Sequence, residues 1–214
     1  MISEMASTTS QHLVLIAGNL GTGKTTLAQR LANSLGWTLV AEAVEENPYL
    51  ADFYRDMRSW SFHLQLYFLG VRAGRHIEAA GLSHSAILDR SVYEDAYVFA
   101  RTLRNMGHIS ARDYSTYMQL FTVVEKELRS PDLVLYLTAP VDVLLDRIRN
   151  RGLLFDQNLN SEYLTMVQSS YEDWISSLHS CPILRLHTDT VDYSSQAVSL
   201  DLLIRQIRDA LGRG

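Results

Sequence analysis

Cysteine is nearly absent from this sequence, since Cys181 is its only cysteine among 214 residues. A single cysteine excludes an intrachain disulfide and a cysteine-rich metal site, and it fits a reducing, cytoplasmic location. No apolar run approaches the ~20 residues that a membrane-spanning helix needs, so we expect no membrane association. Residues 1–10 lack the basic flank and apolar core of a signal peptide, and we expect them to form a flexible tail.

Positive charge is also in short supply. The chain has 19 Lys and Arg against 24 Asp and Glu, which gives a formal net charge of −5. Proteins that hold nucleic acid by its phosphates need clustered cations, so we expect no nucleic-acid partner. Repeats and low-complexity segments are absent too. The length is enough for one well-buried α/β domain, which we place at residues 11–214.

The most informative stretch is a glycine-rich loop. An apolar run at residues 13–17 reads as a buried strand, and apolar residues at helical spacing follow at residues 26–35. Strand, loop and helix are the context of a P-loop, G-x-x-x-x-G-K-[ST], whose backbone N–H groups bind phosphate. The alternative, a glycine-rich turn with a chance Lys-Thr pair, does not explain this context. The loop residues are Gly18, Asn19, Leu20, Gly21, Thr22, Gly23, Lys24, Thr25 and Thr26.

This loop predicts a site for a nucleoside triphosphate. Lys24 is expected to contact the β- and γ-phosphates, and the Thr25 hydroxyl is placed for Mg²⁺. Further along the chain, strand patterns alternate with helix patterns, which predicts a parallel sheet with helices on both faces. The predicted strands cover residues 13–17, 37–41, 84–89, 131–137 and 183–187.

Carboxylates follow two of these strands. Glu42 comes directly after the second strand, at the edge where open α/β sheets carry their chemistry. Glu45 and Glu46 follow in the same segment, and a solvated turn is enough to explain them. Asp89 ends the third strand. An acid at the end of an apolar strand is the usual partner of a P-loop in holding Mg²⁺. Ser91 is a candidate N-cap for the next helix.

Several polar side chains in the predicted helices have two explanations. Glu94 and Asp95 fall in a first helical turn, where acids complement the helix dipole, and for Glu94 that explanation suffices. Gln65 and Arg72 share one face of an apolar helix at residues 59–80, and they either bind partners or reach solvent. A group of arginines at the end of another helix either complements its dipole or clamps a triphosphate. These are Arg147, Arg149 and Arg151.

Taken together, these stretches resemble the deoxyribonucleoside kinase family, particularly bacterial deoxyadenosine/deoxyguanosine kinases. The resemblance implies a P-loop kinase-type α/β fold with an arginine-bearing lid at about residues 147–160. The matching stretches are Gly18 to Thr25, Glu42-Ala-Val, Tyr54 with Trp60 to Arg72, Asp89 to Asp95, and Arg147 to Arg151 with Tyr163-Leu164.

The resemblance also implies catalytic roles. Glu42 would be the general base for the nucleoside 5′-hydroxyl. Arg90 would lie near the 5′-oxygen and the transferred phosphoryl group, and Lys24 would contact the phosphates. Asp89, with Thr25, would hold Mg²⁺.

Substrate and nucleotide contacts follow from the same resemblance. Tyr54 and Asp156 would bind the sugar 3′-hydroxyl, although the family usually has Glu where this chain has Asp156. The lid has Leu153 where the family usually has another arginine. Gln65, Arg72 and Asp95 would read the base, Arg147 and Arg151 would supply lid cations, and the loop from Asp189 to Tyr193 would lie near the ATP base.

The expected activity is transfer of the ATP γ-phosphate to the 5′-hydroxyl of a deoxynucleoside, with a preference for purines, in nucleotide salvage. A nucleoside monophosphate kinase of the thymidylate kinase type would need basic residues near residues 54–65, and that segment is mostly apolar or amide. A nucleotide-operated switch would need loops that order around the γ-phosphate, and the polar groups in the helix at residues 60–72 fit a small-molecule pocket better. The resemblance also implies a homodimer through the helices at residues 60–80 and 113–128.

Overall fold

The computed structural model describes residues 11–41, 47–152, 159–191, 193 and 197–212. Glu42, Asp156, the predicted tail and part of the predicted lid lie outside these ranges. The described residues form a five-stranded parallel sheet, as the strand patterns predict, and the strand order is β2-β3-β1-β4-β5. The strands are β1 (Leu13–Gly18), β2 (Thr38–Val40), β3 (Ala86–Asp89), β4 (Leu133–Thr138) and β5 (Ile183–His187).

Helices connect the strands and cover both faces of the sheet. One of them, α4, has three consecutive parts: α-helical Val92–Glu94, π-helical Asp95–Ala100 and α-helical Arg101–Asn105. The other helices are α1 (Lys24–Leu35), α2 (Leu50–Arg55), α3 (Met57–Ala80), α5 (Ala111–Glu125), α6 (Val141–Arg151), α7 (Ser161–Ser177) and α8 (Ala197–Leu211). Among the described residues, no helix is both apolar enough and long enough for a membrane span.

The sheet separates two hydrophobic clusters. Side chains alternate between the faces of a strand, so Leu13 and Leu15 of β1 pack on one side and Val14 and Ile16 on the other. The Val14 side is covered by α1 and α8, and the Leu13 side by helices including α3, α4, α5 and α7. Both faces of β1 are therefore buried from solvent, which explains its uninterrupted apolar sequence.

Two helices differ from the sequence patterns. Proline in a first turn at Asn47-Pro48 and apolar residues as far as Met57 predict one helix, whereas α2 is Leu50–Arg55, because Asp56 caps α3 by accepting a hydrogen bond from the Ser59 N–H at 3.2 Å. In α4, the pattern at residues 92–101 predicts a plain α-helix, whereas Asp95 begins a π-helical turn. Such turns occur frequently at functional sites, and Asp95 is a predicted base contact.

Candidate active site

The P-loop lies at the carboxyl end of β1, the central strand of the sheet. β1 pairs with β3 on one side and β4 on the other, so the loop begins where the strand order reverses, the usual ligand site of such sheets. Gly18 has φ +151° and passes so close to β4 that a Cβ there would meet the Leu137 carbonyl at 2.4 Å. Gly23 has φ +88° and precedes α1. Both positions therefore require glycine.

Asn19 and Lys24 organise the interior of the loop. The Lys24 ammonium and the Thr22 hydroxyl each donate to the Asn19 carbonyl at 2.8 Å. The Asn19 side chain points away from the loop opening, because its amide donates to the Leu164 carbonyl of α7 at 2.9 Å. Asn19 thus fastens the P-loop to α7, a contribution that its place in the motif does not reveal.

The two predicted metal ligands are in direct contact. The Thr25 hydroxyl donates to Asp89 Oδ2 at 2.6 Å, joining the start of α1 to the end of β3. Both side chains offer oxygen ligands beside the P-loop. Such a pair suits Mg²⁺, which usually binds one or two protein oxygens together with substrate phosphates and water. The described residues contain no cluster of three His, Cys, Asp or Glu side chains for an all-protein metal site.

Arg90 follows Asp89 in an unusual backbone conformation. Its φ is +72°, and it is the only non-glycine with positive φ in the described part of the chain. The guanidinium lies 4.7 Å from the Phe99 ring centroid and donates to the Tyr171 hydroxyl at 3.2 Å. A left-handed arginine costs of order 1–3 kcal/mol and persists only where its surroundings determine it, often at functional sites.

Glu94 does more than complement the helix dipole, so that prediction was incomplete. Glu94 forms a capping box with Ser91, which confirms Ser91 as the N-cap. Its carboxylate is also fully buried and accepts a hydrogen bond from the Tyr171 hydroxyl at 2.6 Å. The Ser-x-x-Glu spacing is a sequence signal for the capping box, whereas the contact with Tyr171 joins residues 77 positions apart.

The three predicted base contacts, Gln65, Arg72 and Asp95, are all buried. Arg72 donates to Asp95 and also lies 4.0 Å from the Phe68 ring centroid. Gln65 is on the same helix as Arg72, and its carbonyl oxygen is buried without a hydrogen-bond partner among the described residues. The two explanations for these helical residues are thereby separated, since neither Arg72 nor Gln65 reaches solvent.

Tyr54 lies half-buried at the end of α2, with its ring 5.2 Å from that of Phe53. Nearby Tyr163 is buried in α7, and burial, followed by the proximity of Tyr54, raises the pKa of Tyr163. The nearby positive charge of Arg90 acts in the opposite direction on the pKa of Tyr163.

An open cleft of about 550 Å³ adjoins the other side of the P-loop. Arg147 of α6 borders it and donates to the Thr188 hydroxyl at 2.9 Å and to the Thr188 carbonyl at 2.7 Å. Arg151 lies exposed at the end of α6. The cleft is lined by Gly21, Thr22, Gly23, Thr26, Leu27, Leu137, Arg147, Thr188, Asp189, Thr190, Val191 and Tyr193.

The chain was compared with known proteins. The family model described as deoxynucleoside kinase matches residues 14–211. The deoxyadenosine/deoxycytidine kinase of Bacillus subtilis is 35% identical over 201 residues, which cover 93% of each chain. The deoxyguanosine kinase of Lactobacillus acidophilus is 30% identical, with 93% of this chain and 90% of the relative covered.

Among solved structures, the chain is similar to another deoxynucleoside kinase. The deoxyadenosine kinase of M. mycoides, solved with the products dCMP and a flexible dCDP bound, superposes with a TM-score of 0.82 at 27% identity. The match covers 92% of this chain and 99% of that one. The same enzyme has also been solved with dATP bound, with a TM-score of 0.78.

Proposed function

Because the chain belongs to the deoxynucleoside kinase family, we propose that it transfers the γ-phosphate of ATP to the 5′-hydroxyl of a deoxynucleoside in nucleotide salvage. The observation that carries this proposal is the contact between Thr25 and Asp89 at 2.6 Å. It joins a phosphate-binding loop to a strand end that continues, through Arg90 and α4, to the buried Arg72–Asp95 pair. Arg72, Asp89 and Arg90 line one small pocket, so the phosphate site and the polar pair adjoin each other.

The transfer needs alignment and charge more than covalent chemistry. Glu42, which follows β2 in the sequence, accepts the proton of the 5′-hydroxyl. The 5′-oxygen forms a bond to the γ-phosphorus as the bond to the β-phosphate oxygen breaks, which leaves ADP. Lys24 and Arg90 bind the phosphoryl oxygens, and their positive charge stabilises the negative charge of the transition state. Exclusion of water by the lid at about residues 147–160 keeps ATP from being hydrolysed.

Mg²⁺ fits this site through the oxygens of Thr25 and Asp89. When bound, it would neutralise phosphate charge. The cleft lined by Arg147 and Asp189 suits the base and ribose of ATP, because it adjoins the P-loop and has the ~300–1,000 Å³ volume of a small-molecule site. Arg151 supplies a further cation from the end of α6.

We propose deoxyadenosine or deoxyguanosine as the acceptor, with weaker use of deoxycytidine. The Gln65 amide offers an acceptor beside a donor, which matches N6 and N7 of adenine. Asp95 accepts from an exocyclic amine, and Arg72 can donate to guanine O6. Tyr54 and Asp156 are proposed to bind the sugar 3′-hydroxyl. The B. subtilis relative is a kinase of deoxyadenosine and deoxycytidine, whose bases both carry such an amine.

Product analysis tests this proposal. The protein is incubated with γ-labelled ATP and Mg²⁺ and, separately, with deoxynucleosides and their 5′-monophosphates. Labelled 5′-monophosphates formed from the deoxynucleosides are the expected result. Label transferred only to monophosphates would indicate an enzyme of the thymidylate kinase type, and ATP turnover without any acceptor would indicate a nucleotide-operated switch.

We also propose a homodimer, located in the cytoplasm, which suits a chain with one cysteine. Leu66 and Ile77 are exposed on one face of α3, and Leu120 and Val123 are exposed on the neighbouring α5. We expect these side chains on neighbouring helices to form one apolar patch, and exposed patches of that kind mark interfaces. In light scattering, Ile77→Glu should convert the dimer to a monomer, whereas Val198→Glu, at an exposed apolar position on α8, should not. A wild-type monomer would refute the dimer.

A further inference from the structure

The buried carboxylate of Glu94 accepts four hydrogen bonds. Glu94 Oε2 accepts from the Ser91 N–H at 2.8 Å and from the Ser91 hydroxyl at 3.1 Å. Glu94 Oε1 accepts from the Tyr171 hydroxyl at 2.6 Å and from the Gly18 N–H at 3.4 Å. One side chain therefore connects the P-loop, the start of α4 and the middle of α7.

The two carboxylate oxygens have separable tasks. A capping box needs only one oxygen to accept from the N-cap N–H, and Oε2 does this. Oε1 is free of the cap and instead lies 3.8 Å from Arg90 Nη1. The guanidinium compensates the buried negative charge, which would otherwise be costly in a dry interior. Helix capping alone thus leaves half of the Glu94 contacts unexplained.

Arg90 needs this support because its own backbone does not favour its position. Its φ of +72° is an uncommon conformation for a residue with a side chain. Around the guanidinium, the Phe99 ring supports one face and the Tyr171 hydroxyl accepts a hydrogen bond. Tyr171 donates its own proton to Glu94, which orients the hydroxyl so that its lone pairs face Arg90.

We propose that Glu94 and Tyr171 are positioning residues, which hold the Arg90 guanidinium in register with the P-loop for phosphoryl transfer. This inference rests on the proposed role of Arg90 in the kinase reaction. Because Glu94 also binds the Gly18 N–H, it fixes the distance between Arg90 and the loop that holds the γ-phosphate. Removal of either partner should therefore impair the transition state more than substrate binding.

Tyr171→Phe is the sharpest variant, since it removes one hydroxyl and keeps the ring that stacks on Tyr136 at 5.7 Å. Glu94→Gln is the second variant, because it keeps the shape of the side chain. Tyr97→Phe is the matched control: it removes another tyrosine–carboxylate bond of α4, to Glu125 at 2.9 Å. We expect kcat to fall about 10- to 100-fold in the first two, with less than about threefold change in either KM, and to stay unchanged in the control.

A double-mutant cycle links the effect to Arg90. In an Arg90→Lys background, Tyr171→Phe should lower kcat less than about threefold, because the guanidinium that it positions is gone. Additive losses, or a kcat unchanged in both Tyr171→Phe and Glu94→Gln, would overturn the proposal. The cycle is run on whichever acceptor the wild type phosphorylates, so a nucleotide acceptor would refute the proposed function and leave this test intact.

Discussion

Asp89 lies at the end of β3 and accepts a hydrogen bond from the Thr25 hydroxyl in the first turn of α1. Asp89→Asn keeps the size of the side chain and removes its charge. We expect kcat to fall at least about 100-fold and the Mg²⁺ concentration needed for half-maximal rate to rise, because a carboxylate is the better Mg²⁺ ligand. Asp173→Asn is the control, since its exposed pair with Arg101 contributes little. An unchanged Mg²⁺ dependence would make Asp89 purely structural.

Glu42 is the proposed base, and it has a matched control three residues away in Glu45. Glu42→Gln should keep nucleoside binding and lower kcat by about 10²- to 10⁴-fold, the usual contribution of a positioned base. Glu45→Gln should leave kcat within about twofold of wild type. Steady-state kinetics with both substrates varied measure these effects. If the two variants behave in the opposite way, the base is Glu45.

At the scale of an element, α6 presents two arginines with different surroundings. Arg147 was expected to be a lid cation, but two hydrogen bonds hold it against Thr188, so we now expect a fixed wall of the nucleotide cleft rather than a moving part of the lid. Arg147→Lys should raise the KM for ATP about 3- to 10-fold, the effect of about one lost hydrogen bond. Arg149→Lys, beside Asp146 at 3.8 Å, is the control. No change in the KM for ATP would contradict this role.

Arg151, one turn further along α6, is exposed. As a lid cation it should act on the transition state, so Arg151→Lys is expected to lower kcat more than it raises the KM for ATP. Single-turnover rates with saturating ATP measure this directly. An effect confined to KM would indicate ground-state binding instead.

The elements that local sequence patterns determine were predicted well. Apolar segments that alternate with turn residues predicted the five strands, including β5 (Ile183–His187), and their parallel pairing. The π-helical turn at Asp95 and the left-handed Arg90 were not predicted, because they depend on packing against α3 and α7 rather than on neighbouring residues. Glu94 was understood only in part for the same reason.

The site residues likewise divide into those that local sequence predicts and those that depend on packing. The strand, glycine-rich loop and helix of the P-loop were predicted, since its glycines and Lys24 lie in one short motif, and the contacts of this loop with ATP stay a prediction. The direction of the Asn19 side chain, towards Leu164, was not predicted, because nothing in the motif refers to α7. The family resemblance assigned Arg72 and Asp95 to the same base site, and the structure shows the two side chains in contact in the interior.

On the scale of the whole molecule, a buried histidine makes stability depend on pH. His76 shares a hydrogen bond of 2.8 Å with the Arg129 carbonyl, and burial lowers the pKa of His76 below its ordinary 6.5. The unfolded chain then binds the extra proton more readily, so the free energy of unfolding falls as the pH drops below about 6.5, by at most about 1.4 kcal/mol per pH unit.

Urea unfolding between pH 7.5 and 5.5 tests this dependence. His76→Gln keeps a donor for the Arg129 carbonyl and cannot titrate, so the loss of stability on acidification should be smaller than in wild type. His63→Gln, at an exposed position on the same helix, is the control and should behave as wild type does. Identical pH dependence in wild type and His76→Gln would show that His76 is not responsible.

The account as a whole requires that the Arg72–Asp95 pocket reads a base and that the P-loop supplies the phosphoryl group. The most direct test is kcat/KM with ATP for deoxyadenosine, deoxyguanosine, deoxycytidine and thymidine. Thymine O4 facing Asp95 should cost about 1–3 kcal/mol, so we predict a preference of about 5- to 150-fold for the best purine over thymidine. A kcat/KM for thymidine equal to or above that for both purines would contradict the account.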